Sequence, residues 1–157
     1  MTGEIVVRRC TDSDLDLLGK NEPPNSAIAR SFLQHQAIGN IVYAAVWRDQ
    51  QLMGTVVLDL TSEYRPELKH LFVQEAARGD GAGTALCIWT ENYAAEAGFN
   101  KLYLGVGVDN HGARRLYERL GFKPVGQATT TTYQYVDESG WSGPRVGVRC
   151  LCEFRIR

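Results

Sequence analysis

The sequence predicts an α/β fold in which a mixed, mostly antiparallel sheet is flanked by helices. Two observations carry this. Strand-like runs dominate the first half, at residues 4–9, 41–47, 51–60 and 67–73. A helix, a strand and a second helix follow, and two more strand-like runs close the chain at 127–136 and 146–156.

Residues 4–9 read as the first strand. Thr11, Asp12, Ser13 and Asp14 then offer N-cap candidates and first-turn acids for a short helix ending near Gly19. Glu22-Pro23-Pro24-Asn25 is a break. Residues 26–38 read as a second helix, with Ile28, Phe32 and Leu33 on one face and Gly39 as its stop. The runs 41–47 and 51–60 flank Arg48-Asp49-Gln50, a hairpin turn without the favoured Asn-Gly. Glu63-Tyr64-Arg65-Pro66 is another turn. The strand 67–73 follows, and its unbroken apolar run Leu71-Phe72-Val73 predicts burial on both faces. From Thr84 the period changes: Leu86, Trp89, Tyr93 and Ala97 share one helix face, closed by Gly98. Residues 101–108 are the next strand. Asp109 or Asn110 caps the helix after it, in which Ala113, Leu116, Tyr117 and Leu120 share a face and Gly121 is the stop. A strand rich in threonine and tyrosine, a turn at 137–144 and the strand 146–156 complete the chain. Read as an uncovered edge, the last strand invites pairing, so a homodimer is expected.

The length of 157 residues corresponds to one domain, 1–157, since domains commonly run ~100–150 residues. With 44% hydrophobic residues the chain can bury a proper core. A formal net charge of −1 gives no basis for a nucleic-acid surface. No apolar run approaches the ~20 residues of a membrane helix, so no membrane partner is expected. The chain enters its first strand without a secretory pattern, which predicts a cytoplasmic location. Cys10, Cys87, Cys150 and Cys152 have no disulfide-framework spacing. Cys150 and Cys152 point to one face of a strand, but one pair of ligands does not make a metal site, and no metal is expected.

The stretch Arg78-Gly79-Asp80-Gly81-Ala82-Gly83-Thr84 lies between a strand and a helix. Glycine admits φ > 0 and close approach of the backbone to a ligand. A helix beginning here presents unpaired N–H groups and the positive end of its dipole, which together make an anion site. A nucleotide P-loop would need Gly-Lys-Ser/Thr, and Gly83 is followed by Thr84 and Ala85. A dinucleotide fingerprint would need glycine at Thr84. Taken alone, the loop is equally compatible with a glycine-rich turn that binds nothing.

A second stretch runs Asn110-His111-Gly112-Ala113-Arg114-Arg115-Leu116-Tyr117-Glu118-Arg119-Leu120-Gly121-Phe122. Together the two stretches resemble the GNAT superfamily of N-acetyltransferases. Its acetyl-CoA loop reads Arg/Gln-x-x-Gly-x-Gly/Ala, filled by Arg78, Gly81 and Gly83. Its later signature, Asn-x-x-Ala-x-x-Leu-Tyr-x-x-Leu-Gly-Phe, is matched by Asn110, Ala113, Leu116, Tyr117, Leu120, Gly121 and Phe122. The resemblance is strong from Leu68 to Phe122 and looser on the flanks. It implies a sheet that splays between the strand before the loop and the strand after its helix. The backbone of Leu71, Phe72 and Val73 would then hold the pantetheine arm of CoA. Residues Gly79 to Thr84 would hold the pyrophosphate, and Asn110 and Ala113 would lie beside the cofactor. The paired helices near the N-terminus would cover the acceptor.

Acetyl transfer to an amine needs a base, because an alkyl ammonium titrates near ~10.4, and it needs donors for an oxyanion and for the leaving thiolate. By periodicity Tyr117 is a core aromatic; its place in the signature makes it the acid candidate. Glu67 by itself reads as a turn residue; histone-acetylating members of the superfamily carry a catalytic glutamate at this position. His70 is a rival base, with an unperturbed pKa of ~6.5. It stands an odd number of residues from Glu67, which on a regular strand puts the two on opposite faces. Arg78, Arg114 and Arg115 are candidates for CoA phosphates or solvated surface charges, and His35 and His111 show no partner in sequence. The leading expectation is an acetyl-CoA-dependent N-acetyltransferase acting on a primary amine of a small molecule or protein. The alternatives are a non-catalytic acyl-CoA-binding module and a structural domain without cofactor.

Overall fold

A computed structural model describes residues 3–20, 22–23, 25–126, 128–136 and 142–156. Its strands are β1 (Ile5–Arg9), β2 (Ile41–Arg48), β3 (Gln51–Asp59), β4 (Glu67–Val73), β5 (Lys101–Gly107), β6 (Lys123–Pro124), β7 (Thr129–Val136) and β8 (Ser142–Arg155). The helices are α1 (Leu15–Leu18), α2 (Ile28–Ala37), α3 (Ala82–Glu96) and α4 (His111–Arg119). Among the described residues the strands form one eight-stranded sheet in the order β1-β2-β3-β4-β5-β8-β6, with β7 also on β8. Every pairing is antiparallel except β4 with β5, which is parallel. The mixed α/β fold is therefore as the sequence predicts. No helix of the described residues is long and apolar enough to cross a membrane.

Each face of the sheet has its own core. Alternate side chains such as Val46, Leu58, Leu104 and Cys152 pack with Leu86 of α3 and Tyr117 of α4. Tyr43, Trp47 and Val57 point the other way and pack with Leu18 of α1 and Leu33 of α2. Strand β2 is buried from Ile41 to Trp47 because both faces are covered, which explains its near-continuous apolar sequence. The β2–β3 turn is Asp49-Gln50, both at positive φ (50° and 66°), as a tight two-residue hairpin turn demands.

Several expectations are corrected. Helix α3 starts at Ala82 rather than Thr84 and buries Leu86, Cys87, Thr90 and Ala94, leaving Ala97 exposed. Thr90 escapes a hydropathy reading because its hydroxyl donates to the Cys87 carbonyl at 2.7 Å, which satisfies it inside the core. Helix α2 starts at Ile28, not Ser26, and the Glu22 carboxylate accepts from the Ala29 N–H at its first turn. Phe72 is 50% exposed rather than buried on both faces. The final strand begins at Ser142 and is not an edge: β5 covers one side and β6 and β7 the other, so the ground for pairing a second copy through it is removed. Most of the anticipated turn 137–144, and Gln127 at the start of the strand before it, lie outside the described residues.

The short N-terminal helix is held by Asp14. Its carboxylate accepts from Arg8 at 2.8 and 2.9 Å and from the Thr11 N–H at 2.8 Å. The Arg8 hydrogen bond outweighs burial and, helped by Thr11, lowers the carboxyl pKa to about 2. An unfolded aspartate titrates near ~3.9, so this stabilisation is present above that pH and is lost as pH falls towards 2. Thermal melts should show the midpoint falling between pH 4 and pH 2, and an Asp14→Asn variant should show a shallower decline over that window.

Candidate active site

Strands β4 and β5 stay paired only at Glu67–Tyr103 and Leu68–Leu104. Beyond that point they separate, and the β5-facing backbone edge of residues 69–73 has no strand beside it among the described residues. The gap opens into a cavity of about 690 Å³ lined by Glu67, His70, Leu71, Asn110, Tyr117 and Arg149, among others. Gly105, Val106 and Gly107 of β5 line one side of it, Val106 also packing in the core.

The β4 strand carries a bulge. Phe72 pairs with Thr55 and Lys69 with Val57, so His70 and Leu71 together stand opposite Val56 alone. His70 takes φ +52° to make it. Gly54 permits it: a Cβ there would stand 2.4 Å from the Phe72 carbonyl oxygen. The bulge breaks the two-residue alternation. His70 swings to the α2 side, where its ring lies 5.2 Å from that of Phe32. Glu67 faces the same side, opposite Asp59 in the β3 register. The expectation that Glu67 and His70 face opposite ways is therefore overturned, and both line the cavity. Desolvation by the surrounding protein, then the charges of Lys69 and Arg149, lower the His70 pKa against the opposing charge of Asp59, although the ring keeps an exposed face on the cavity.

Glu67 is largely buried and accepts a hydrogen bond from the Ser62 hydroxyl at 2.5 Å. On the opposite wall Tyr117 is 8% exposed and packs edge-on against Phe122 at 5.8 Å. Its hydroxyl finds no hydrogen-bond partner among the described residues. Burial, then the neighbouring Cys87 and Cys152, raises its pKa well above that of an ordinary phenol. The group is thus a protonated donor at the cavity wall.

Beyond the far end of β4 lies the glycine-rich loop. Gly79 and Gly81 sit at φ +85° and +87°, with open space where a Cβ would stand. The first bond of α3's own ladder runs from the Ala85 N–H to the Gly81 carbonyl at 3.0 Å, so the N–H groups of Ala82, Gly83 and Thr84 precede it. Gly83 packs closely: a Cβ there would be 3.5 Å from Leu116 of α4. Arg78 is exposed at the loop entrance, and Asp80 is drawn aside by Arg48 at 3.3 Å.

The other sequence candidates divide. Asn110 caps α4, its side chain accepting from the Ala113 N–H at 3.2 Å, and both line the cavity. Arg114 is committed to the Val108 carbonyl at 3.1 Å, whereas Arg115 is exposed. His35 and His111 are exposed, and neither lines the cavity. Burial raises Cys10 and Cys87 to about 12 and Cys152 to about 11, values that make core thiols rather than nucleophiles. Among the described residues no group of three or more His, Cys, Asp or Glu could hold a metal ion. Sequence reasoning missed Ser62, Lys69 and Arg149. Lys69 carried a usable signal, since two residues from Glu67 on one strand means the same face.

The model of the acetyltransferase (GNAT) family matches residues 12–122. An uncharacterized N-acetyltransferase of Methanocaldococcus jannaschii is 44% identical over 57 residues, 36% of this chain and 25% of that one. The chain thus aligns with only about a quarter of that relative's length. The aminoalkylphosphonate N-acetyltransferase of Salmonella typhimurium is 26% identical over 129 residues, 74% of this chain and 84% of that one. Among solved structures, the PaiA N-acetyltransferase of Thermoplasma acidophilum in complex with coenzyme A superposes with a TM-score of 0.69 at 17% identity, covering 97% of this chain and 99% of that one. That likeness is one of fold.

Proposed function

This chain belongs to the acetyltransferase (GNAT) family, and from that premise we propose that it transfers the acetyl group of acetyl-CoA to a primary amine. The observation that carries the reading is the parted β4–β5 pair, with Glu67 and Tyr117 on the walls of the gap and the glycine-rich helix start beyond its open end.

The residues present suit acetyl-CoA. The N–H groups of Ala82, Gly83 and Thr84 would hold the pyrophosphate, with Gly79 and Gly81 bringing the backbone close and Arg78 adding charge. The unpaired edge of Leu71, Phe72 and Val73 would hold the amide-bearing arm as a neighbouring strand would. Glu67, fixed by Ser62, would take the proton from the acceptor amine; His70, its pKa lowered, lies on the same face and is the rival base. A thiol titrates near ~8.5, below Tyr117, so the phenol would keep its proton and stabilise the developing thiolate as a hydrogen-bond donor. The proposal includes a cytoplasmic location, which rests on sequence alone.

The Salmonella relative's name pairs an amine with an anionic phosphonate, and Lys69 and Arg149 are cations in the same cavity here. Aminoalkylphosphonates therefore belong in the first amine panel, beside polyamines, amino acids and peptide N-termini. Mixing the protein with acetyl-CoA and each amine should release free thiol with at least one of them. Acetyl-CoA binding by calorimetry with no thiol release from any amine would instead identify a binding module.

A further inference from the structure

Glu67 shares its corner of the cavity with two more charges. Asp59 stands directly opposite it in the β3–β4 register. Carboxylates so placed have Cβ atoms about 4.5–5.5 Å apart and repel each other. Lys69 reaches both: its Nζ is 2.9 Å from Asp59 Oδ2 and 4.0 Å from Glu67 Oε1. The side chains of Asp59 and Glu67 are only 16% and 15% exposed, so water does little to relieve the repulsion. Asp59 cannot turn away, because its Oδ1 accepts from the Thr61 N–H and hydroxyl at 2.8 Å each. Burial would raise its pKa, but Lys69 and Thr61 outweigh burial and hold it below the usual carboxylate range. A fixed anion therefore faces the candidate base, and one lysine bridges the two.

We propose that Lys69 is a positioning residue for the reaction: by bridging Asp59 and Glu67 it offsets their repulsion and holds the Glu67 carboxylate in place as the base. The inference rests on Glu67 being that base. Other titratable or charged groups on this side of the site are His70 on β4, Tyr103 on β5 and Tyr64, whose ring is 5.7 Å from that of Tyr103. From β8 come Arg149 and Glu153, the latter paired with Lys101 at 3.4 Å. His70 feels the same two charges, Lys69 lowering its pKa and Asp59 raising it, so its titration would move in the same directions and Glu67→Gln decides which group the limb reports. The remaining groups are the same in every variant.

The test is the acidic limb of kcat/KM against pH, measured with one good amine. Removing an opposite charge within ~4–6 Å raises a carboxyl pKa by about one unit or more. Lys69→Met should therefore move the limb to higher pH by that amount, and Lys69→Arg should leave it near its original position. Asp59→Asn removes the repulsion instead and should move the limb to lower pH. The double variant Asp59→Asn/Lys69→Met should return it towards the wild-type value, an outcome that loss of local structure would not produce. Glu67→Gln separates the two layers of the argument. If Glu67→Gln retains the limb, Glu67 is not the base and the role of Lys69 falls with it. If Glu67→Gln abolishes the limb but Lys69→Met leaves it in place, or both single variants move it the same way, the inference about Lys69 alone is overturned.

Discussion

Gly81→Val is expected to bind acetyl-CoA at least about 10²-fold less tightly while remaining folded. Gly81 occupies φ +87° immediately before α3, with nothing within 4 Å of its missing Cβ. A valine there costs roughly 1–3 kcal/mol in backbone strain and projects two methyl groups over the loop surface. Losing one or two charge-assisted hydrogen bonds to the pyrophosphate costs about 1.5–3 kcal/mol each, and each 1.4 kcal/mol is tenfold in affinity. The strain needs its own control, and the fold provides one. Gly98 lies past the other end of the same helix at φ +91°, also with nothing within 4 Å. At 1.5 Å per residue the 15 residues of α3 put it about 22 Å away. Gly98→Val should show a similar fall in Tm and an unchanged Kd by calorimetry. Equal affinities in the two variants would mean that the loop does not hold the cofactor.

The parts of the site legible in the sequence are those built from local spacing. The strand 67–73, the glycine loop and the asparagine-capped helix each sit within a dozen residues of chain, and each lies where the pattern puts it. The facing of His70 was not legible, because counting by twos assumes a regular strand, whereas the bulge is set by pairing with β3. The one trace of it is Gly54, a glycine inside an otherwise apolar strand, which often marks a close backbone approach. Asp59, Ser62 and Lys69 were missed for a related reason: they meet Glu67 only once the β3–β4 register is fixed. Phe72 misled because an apolar run implies burial only where something covers it, and β4 has parted from β5 at that point.

Tyr117→Phe is expected to lower the rate of acetyl transfer by about 10²–10³-fold, the usual worth of one preorganised hydrogen-bond donor to developing charge. The ring is held by packing: Tyr117 is 8% exposed in the core beneath α4, edge-on to Phe122, and phenylalanine fills the same space. The hydroxyl contributes no hydrogen bond within the described residues, so its removal leaves no orphaned partner and the fold should be unaffected. Acetyl-CoA affinity should change little, since the loop at Gly79 to Thr84 and the edge of β4 are untouched. The phenol's raised pKa sharpens the expectation further. A donor that keeps its proton acts only on the thiolate as it forms, so its loss should lower kcat and kcat/KM together. Where product release limits turnover, steady-state rates will understate the effect. Single-turnover acetylation with a good amine, wild type against Tyr117→Phe, is therefore the decisive measurement. Equal single-turnover rates would return Tyr117 to the role of a packed aromatic.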